Sequence, residues 1–180
     1  MSEQRRRILA VDDSQDLLEL VRLALEDDYD VLTLSDPMEV MEMIALFEPD
    51  LLILDVMMPK ISGFQLAEML QRNPRTRELP IIILSAKDTT RDIKHGYRVG
   101  ASLYLTKPFE PQRLLQNVQA QLQINGTEPA PKTHNLEAIS GRLQGTTIYQ
   151  KGIVRIGSIN LVQGNLKRRE DVMKDRQQRF

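Results

Sequence analysis

Short apolar runs recur along the first two thirds of the chain, and each ends in a polar side chain. Ile8-Leu9-Ala10-Val11 precedes Asp12-Asp13, Leu51-Leu52-Ile53-Leu54 precedes Asp55, Ile81-Ile82-Ile83-Leu84 precedes Ser85, and Leu103-Tyr104-Leu105-Thr106 precedes Lys107. Continuous rather than alternating apolar runs predict strands buried on both faces, as in a parallel sheet. Between the strands the period changes. Ser14 is placed to cap a first helix whose Leu17, Leu18, Val21, Ala24 and Leu25 recur at three- and four-residue intervals. Residues 29–35 alternate loosely as a second strand, and Asp36-Pro37 opens a second helix reaching about Phe47, with proline in the first turn. Gly63 precedes a third helix carrying Leu66, Ala67, Met69 and Leu70, which stops near Asn73-Pro74 because the residue before proline disfavours helix. A fourth helix over 90–99 is weaker, since Gly96 costs about 1 kcal/mol relative to alanine. Pro111 opens a fifth, with Leu114, Leu115, Val118 and Leu122 on one side.

Strict alternation of strand and helix calls for a parallel sheet covered on both faces and joined by right-handed crossovers. The predicted fold class is therefore α/β: a flavodoxin-like, doubly wound, five-stranded sheet of order 2-1-3-4-5 with a short C-terminal extension. In that order strands one and three are neighbours at the switch point, where ligands bind beyond the carboxyl ends. Asp12, Asp13 and Asp55 are thereby brought together, with Ser85 and Lys107 farther along the same rim.

Length sets the domain count. The 180 residues suffice for one domain plus an appendage. A main domain is expected over 5–124, a linker over 125–134 and an extension over 135–180, read either as a partly disordered tail or as a dimerisation or partner-docking element. Linker composition is plain in Asn125-Gly126-Thr127-Glu128-Pro129-Ala130-Pro131. Charge separates the parts as well. Residues 1–124 carry 14 basic and 20 acidic side chains, residues 125–180 carry 10 and 5, and the whole chain has a net charge of −1. That balance gives no whole-chain signature of nucleic-acid or membrane binding. There is no cysteine, so neither a disulfide framework nor a thiolate metal site is available. Arg5-Arg6-Arg7 precedes only a strand-length apolar run, too short for a signal peptide, and a cytoplasmic location is expected.

Carboxylates on adjacent strand ends, roughly 4.8 Å apart strand to strand, would repel one another unless a cation neutralised them. With oxygen ligands and room for water, Mg2+ is the natural choice. Lys107 and the Ser85 hydroxyl offer a point charge and a donor for an anion beside the metal, so the site reads as a phosphoryl-transfer centre. Taken singly, each feature has an ordinary reading: Asp12-Asp13 as acids at a helix start, Asp55 as a strand end, Lys107-Pro108 as a turn, Tyr104 and Phe109 as core aromatics. Their joint placement is what carries the functional reading. His95 and His134 have no partner ligand nearby in sequence, and Met38, Met41 and Met43 read as packing residues.

The combination of Asp12-Asp13, Asp55 in Asp-Val-Met-Met-Pro, Gly63, Ser85-Ala86 and Gly100-Ala101 leading to Tyr104-Leu105-Thr106-Lys107-Pro108-Phe109 resembles the response-regulator receiver domains of bacterial two-component signalling. The order 2-1-3-4-5 is already known for that family and is not an independent result. The resemblance implies that Asp55 is the phosphoacceptor. It implies that Asp12, Asp13, Asp55 and the backbone carbonyl of Met57 hold Mg2+, and that Ser85 and Lys107 contact the phosphoryl oxygens. Ser85, Tyr104 and Pro108 become the switch residues, with a cis Lys107-Pro108 bond and a readout surface on the fourth helix, fifth strand and fifth helix. Departures are small: serine replaces the commoner threonine at 85, Ser102 stands where an acid is frequent, and Met57 and Lys87 occupy positions that tune phosphate lifetime.

Implied partners are a sensor histidine kinase or phosphotransfer protein, with a phosphorylation-dependent homodimer as a further option; nucleic acid and membrane are not expected. On this reading the protein is not an enzyme beyond its own phosphorylation and dephosphorylation. Two alternatives stand beside it. One is a transcription regulator using the basic tail around Lys167-Arg168-Arg169. The other is a Mg2+-dependent aspartyl-phosphate phosphatase, against which the adjacency of Asp12 and Asp13 speaks, since such enzymes place nucleophile and acid two residues apart. In the extension, 148–161 suggests a weak hairpin and 166–180 a charged, helical tail.

Overall fold

The β-branched and leucine-rich runs form strands because their side chains pack on both sides of a pleated sheet. In the computed structural model these are β1 (Arg7–Val11), β2 (Asp30–Leu34), β3 (Leu51–Asp55), β4 (Ile81–Ser85) and β5 (Leu103–Thr106). The helices are α1 (Gln15–Leu25), α2 (Val40–Phe47), α3 (Gly63–Arg72), α4 (Thr90–Arg98) and α5 (Pro111–Ile124). The structure describes residues 4–124, Lys132 and, as backbone, two further strands, β6 (Thr147–Gln150) and β7 (Ile153–Ile156). The expected helical tail over 166–180 lies outside the described residues, as does the linker apart from Lys132.

All pairings among β1 to β5 are parallel, in the order 2-1-3-4-5. β6 then adds antiparallel to β2 and β7 antiparallel to β6, giving seven strands in the order β5-β4-β3-β1-β2-β6-β7. The hairpin expected near 148–161 is thus present as an antiparallel pair, joined to the main sheet.

Each strand distributes its side chains between two cores. Leu9, Leu52, Leu54, Ile81 and Ile83 face α2 and α3 with Phe47, Leu66 and Leu70, while Ile8, Leu51, Ile53, Ile82 and Leu84 face α1 and α5 with Leu18, Leu25, Leu114 and Val118. This two-sided burial is why the strands read as unbroken apolar runs.

Local signals set the helix ends. Ser14 accepts a hydrogen bond from the Leu17 N–H at the start of α1, and Ser62 with Gln65 forms a reciprocal capping box at the start of α3. Gly63 is therefore the first residue of α3 rather than one preceding it. The second helix is also subdivided: Pro37–Glu39 is a 3-10 turn, capped by the Asp36 side chain on the Met38 N–H, and the α-helix proper begins at Val40. Gly96 has a packing reason that period alone does not show. A Cβ there would lie 2.5 Å from Cδ2 of Tyr104, so the missing side chain makes room for the tyrosine ring beneath α4.

Candidate phosphoryl-transfer site

The carboxyl ends of β1, β3, β4 and β5 deliver the polar residues to one rim. Asp12 follows β1 and is fixed from two sides: its N–H donates to the Leu34 carbonyl at 3.1 Å, and its Oδ1 accepts from the Ser14 N–H at 2.8 Å. Asp55 is the last residue of β3 and Ser85 the last of β4, both buried, whereas Asp13 is exposed. One carboxylate oxygen from each of Asp12, Asp13 and Asp55 lies within 4.8 Å of the others. The sheet order, not proximity in sequence, makes this cluster.

Lys107 closes it. Its Nζ donates to Asp12 Oδ2 and Asp55 Oδ1, each at 3.0 Å, and its backbone N–H donates to the Ser85 carbonyl at 2.8 Å. The Lys107–Pro108 peptide is cis. Burial pushes the Asp55 carboxyl above its ordinary range, an effect that the hydrogen bond and charge of Lys107 only partly offset. Asp12 is raised for the same first reason, and the neighbouring Asp55 charge adds to it against the Ser14 N–H and Lys107. For Lys107, burial acts to lower the ammonium, but its hydrogen bonds and attraction to Asp55 and Asp12 outweigh burial and raise it. Three carboxylates against one ammonium leave a surplus of negative charge in a half-desolvated place. An all-oxygen donor set under that surplus fits a hard divalent cation, which would be held by Asp12, Asp13 and Asp55. Met57, whose carbonyl the sequence reading added to the set, sits on the loop after β3 with its side chain largely exposed.

The switch candidates form a second layer. Ser85 Oγ accepts from the Lys87 N–H at 3.1 Å. Tyr104 is buried, and its hydroxyl donates to the Lys87 carbonyl at 2.8 Å, so the loop after β4 is pinned by the hydroxyls of both residues. Pro108 follows Lys107 on the loop leading to α5.

Some contributors escaped the sequence reading. Tyr97 on α4 accepts the Tyr104 N–H at 3.3 Å, and Lys60 reaches across the rim to Asp36 at 2.7 Å. Neither has a distinctive local pattern, because each partner comes from a separate element. Gly63 was read only as the residue before the third helix and as part of the resemblance, with no packing role. A Cβ there would lie 2.0 Å from the Asp55 carbonyl oxygen, so the first turn of α3 can pack against the end of β3 only as glycine. His95, unassigned in the sequence, packs edge-on against Phe64 with ring centroids 4.5 Å apart.

The chain is similar to known proteins in sequence and in fold. The chain is 35% identical over 130 residues to the DNA-binding dual master transcriptional regulator RpaA of Synechocystis sp., covering 72% of this chain and 54% of that protein. It is 38% identical over 119 residues to the alkaline phosphatase synthesis transcriptional regulatory protein PhoP of Bacillus subtilis, covering 66% and 49%. The chain thus spans about half the length of these curated relatives. Among solved structures, a putative response regulator from Chloroflexus aurantiacus superposes with a TM-score of 0.64 at 35% identity, covering 67% of this chain and 99% of that one. The BeF3-activated DrrB receiver domain superposes with a TM-score of 0.62 at 28% identity, covering 67% and 99%. Residues 8–119 match the response regulator receiver domain, and the chain belongs to that family.

Proposed function

We propose that this chain is a two-component response regulator that takes a phosphoryl group onto Asp55 from a sensor histidine kinase or phosphotransfer protein. The observation that carries the reading is the buried Asp55 carboxylate, held at 3.0 Å by Lys107 and flanked by the carboxylates of Asp12 and Asp13. In the transfer, an Asp55 oxygen forms the new O–P bond as the N–P bond of a phosphohistidine breaks, and the departing imidazole keeps the electron pair and takes up a proton. Asp12, Asp13, Asp55 and the Met57 carbonyl would hold Mg2+, which would supply charge neutralisation for the phosphoryl oxygens. Lys107, already placed against Asp55, shifts from carboxylate to phosphoryl oxygen, and the Ser85 hydroxyl is the second donor.

Added phosphoryl charge biases two conformations only through contacts that differ between them. The contacts available are those of Ser85 and Tyr104 with the loop carrying Lys87, which would move with α4, β5 and α5. The chain catalyses only its own phosphorylation and dephosphorylation, in a cytoplasmic setting. Among the described residues no helix is long and apolar enough to cross a membrane. The test is intact mass after incubation with acetyl phosphate and Mg2+. One phosphoryl group is expected on the wild type and none on Asp55→Asn; equal labelling of the two overturns the assignment.

A second reading, transcriptional output, is favoured by a specific observation: RpaA is a DNA-binding regulator by name, and residues 125–180 carry a basic excess. DNA affinity of the whole chain is then expected to exceed that of residues 1–124 and to fall steeply with salt. Equal, weak binding by both removes this reading.

A further inference from the structure

In the five-stranded parallel arrangement β2 is an outer strand, and its sequence Asp30-Val31-Leu32-Thr33-Leu34 has no proline, no lysine and no glycine bulge; its one charge, Asp30, stands at the first position and is paired with Arg5 at 3.2 Å. Such an edge is a template for another strand. In this structure β6 lies on it antiparallel, with Tyr149 opposite Val31, Ile148 opposite Leu32 and Thr147 opposite Thr33. An antiparallel outer strand on an otherwise parallel sheet is a common ending for this kind of fold.

A second observation, independent of strand pairing, ties the same part of the chain to the domain. Lys132 Nζ donates to Asp50 Oδ1 at 2.7 Å and to the Glu48 carbonyl at 2.8 Å, with the lysine and aspartate side chains only 4% and 7% exposed. The other Asp50 oxygen accepts the backbone N–H of Arg7, the first residue of β1, at 2.7 Å. Asp50 therefore joins β1, the start of β3 and the segment after α5. Two long-range hydrogen bonds from one buried ammonium are more than a solvated linker lysine makes. The tie sits at the amino ends of the strands, the end where α5 finishes and opposite the acidic cluster.

We infer that the β2 edge is a strand-docking surface whose occupant is β6 of the same chain, and that the Lys132–Asp50 pair is the latch that delivers it. The extension is on this account part of the receiver sheet, whether or not Asp55 is phosphorylated.

Hydrogen exchange of the full-length protein, followed by mass spectrometry on peptides from β2, tests this. In the wild type the β2 amides facing β6 exchange slowly, at a rate independent of protein concentration. Ile148→Pro, which removes a backbone donor from β6, speeds their exchange by about tenfold or more while peptides from β3 stay protected. Lys132→Met keeps the β6 backbone intact and also speeds β2 exchange, because the strand is no longer held near its edge. Unchanged β2 exchange in both variants overturns the inference. Protection that grows with protein concentration overturns it too, since β6 would then come from a second copy. If Ile148→Pro exposes β3 as well, Lys132→Met alone decides, by the same criterion.

Discussion

Asp12 shows how a single residue here serves function against stability. Its carboxyl and that of Asp55 are raised by burial, so the folded chain takes up protons more readily than the unfolded one. Ionising them therefore costs stability. The cost sets in as pH rises from the ordinary carboxylate value of about 4 through the raised folded values, and it is absent below both. Asp12→Asn keeps the Oδ1 that accepts the Ser14 N–H and leaves Lys107 its contact with Asp55, but removes one negative charge. Without divalent metal at neutral pH, the variant is expected to melt roughly 2–4 °C above the wild type, the response to about 1 kcal/mol in a chain of this size. The difference should vanish below about pH 4. Added Mg2+ should stabilise the wild type more than the variant. A thermal-melt series over pH and Mg2+ checks all of this; a variant less stable than wild type at neutral pH refutes it. Gly63 makes a complementary case. Because a Cβ would sit 2.0 Å from the Asp55 carbonyl oxygen, Gly63→Ala must move the backbone that carries Asp55, the proposed phosphoacceptor. The expected result is a loss of about 1–3 kcal/mol in denaturant melts together with slowed acetyl-phosphate labelling.

At the scale of elements, legibility followed the distance over which each interaction reaches. Strands β1, β3 and β4 were readable because burial on both faces leaves an unbroken apolar run, and α1 was readable from Ser14 and its spaced leucines. The acidic cluster became readable only through the sheet order, which the repeated strand-helix alternation implied. What stayed hidden lies between elements: Tyr97 on α4 accepting the N–H of Tyr104 on β5, Lys60 across to Asp36, and Lys132 on Asp50. A lysine in a proline-rich stretch looks the same whether solvated or latched. Gly96 was the instructive miss, legible only as a helix weakener. Its Cβ-less backbone leaves space for the Tyr104 ring, so Gly96→Ala should displace that ring and break its hydroxyl bond to the Lys87 carbonyl. A loss of about 1–3 kcal/mol is expected, with changed tyrosine ring signals in NMR spectra. In a Tyr104→Val background the same substitution should cost markedly less, since the colliding ring is gone. Equal costs in both backgrounds would show that the glycine acts through the helix backbone instead.

For the molecule as a whole, the sheet makes one cooperative body out of two cores. Leu70 on α3 and Leu114 on α5 are fully buried and belong to the two separate core clusters on opposite faces of the sheet. Alternate residues of the same strands serve the two cores: Leu52 and Leu54 pack on the α3 side, Leu51 and Ile53 on the α5 side. Stripping the helices from one face would expose these runs to water, so neither core can persist as a folded half. Leu70→Ala and Leu114→Ala should each cost about 2–5 kcal/mol, the range for emptying a buried leucine site. Because the sites are far apart and the strands between them are rigid, the double variant should lose the sum within about 0.5 kcal/mol. In each single variant, far-ultraviolet circular dichroism and tyrosine fluorescence should report one coincident denaturant transition. Were the two probes to separate in Leu114→Ala, the two cores, which hold Tyr104 on one side and Tyr29 on the other, would be independent units and the sheet only a partition between them.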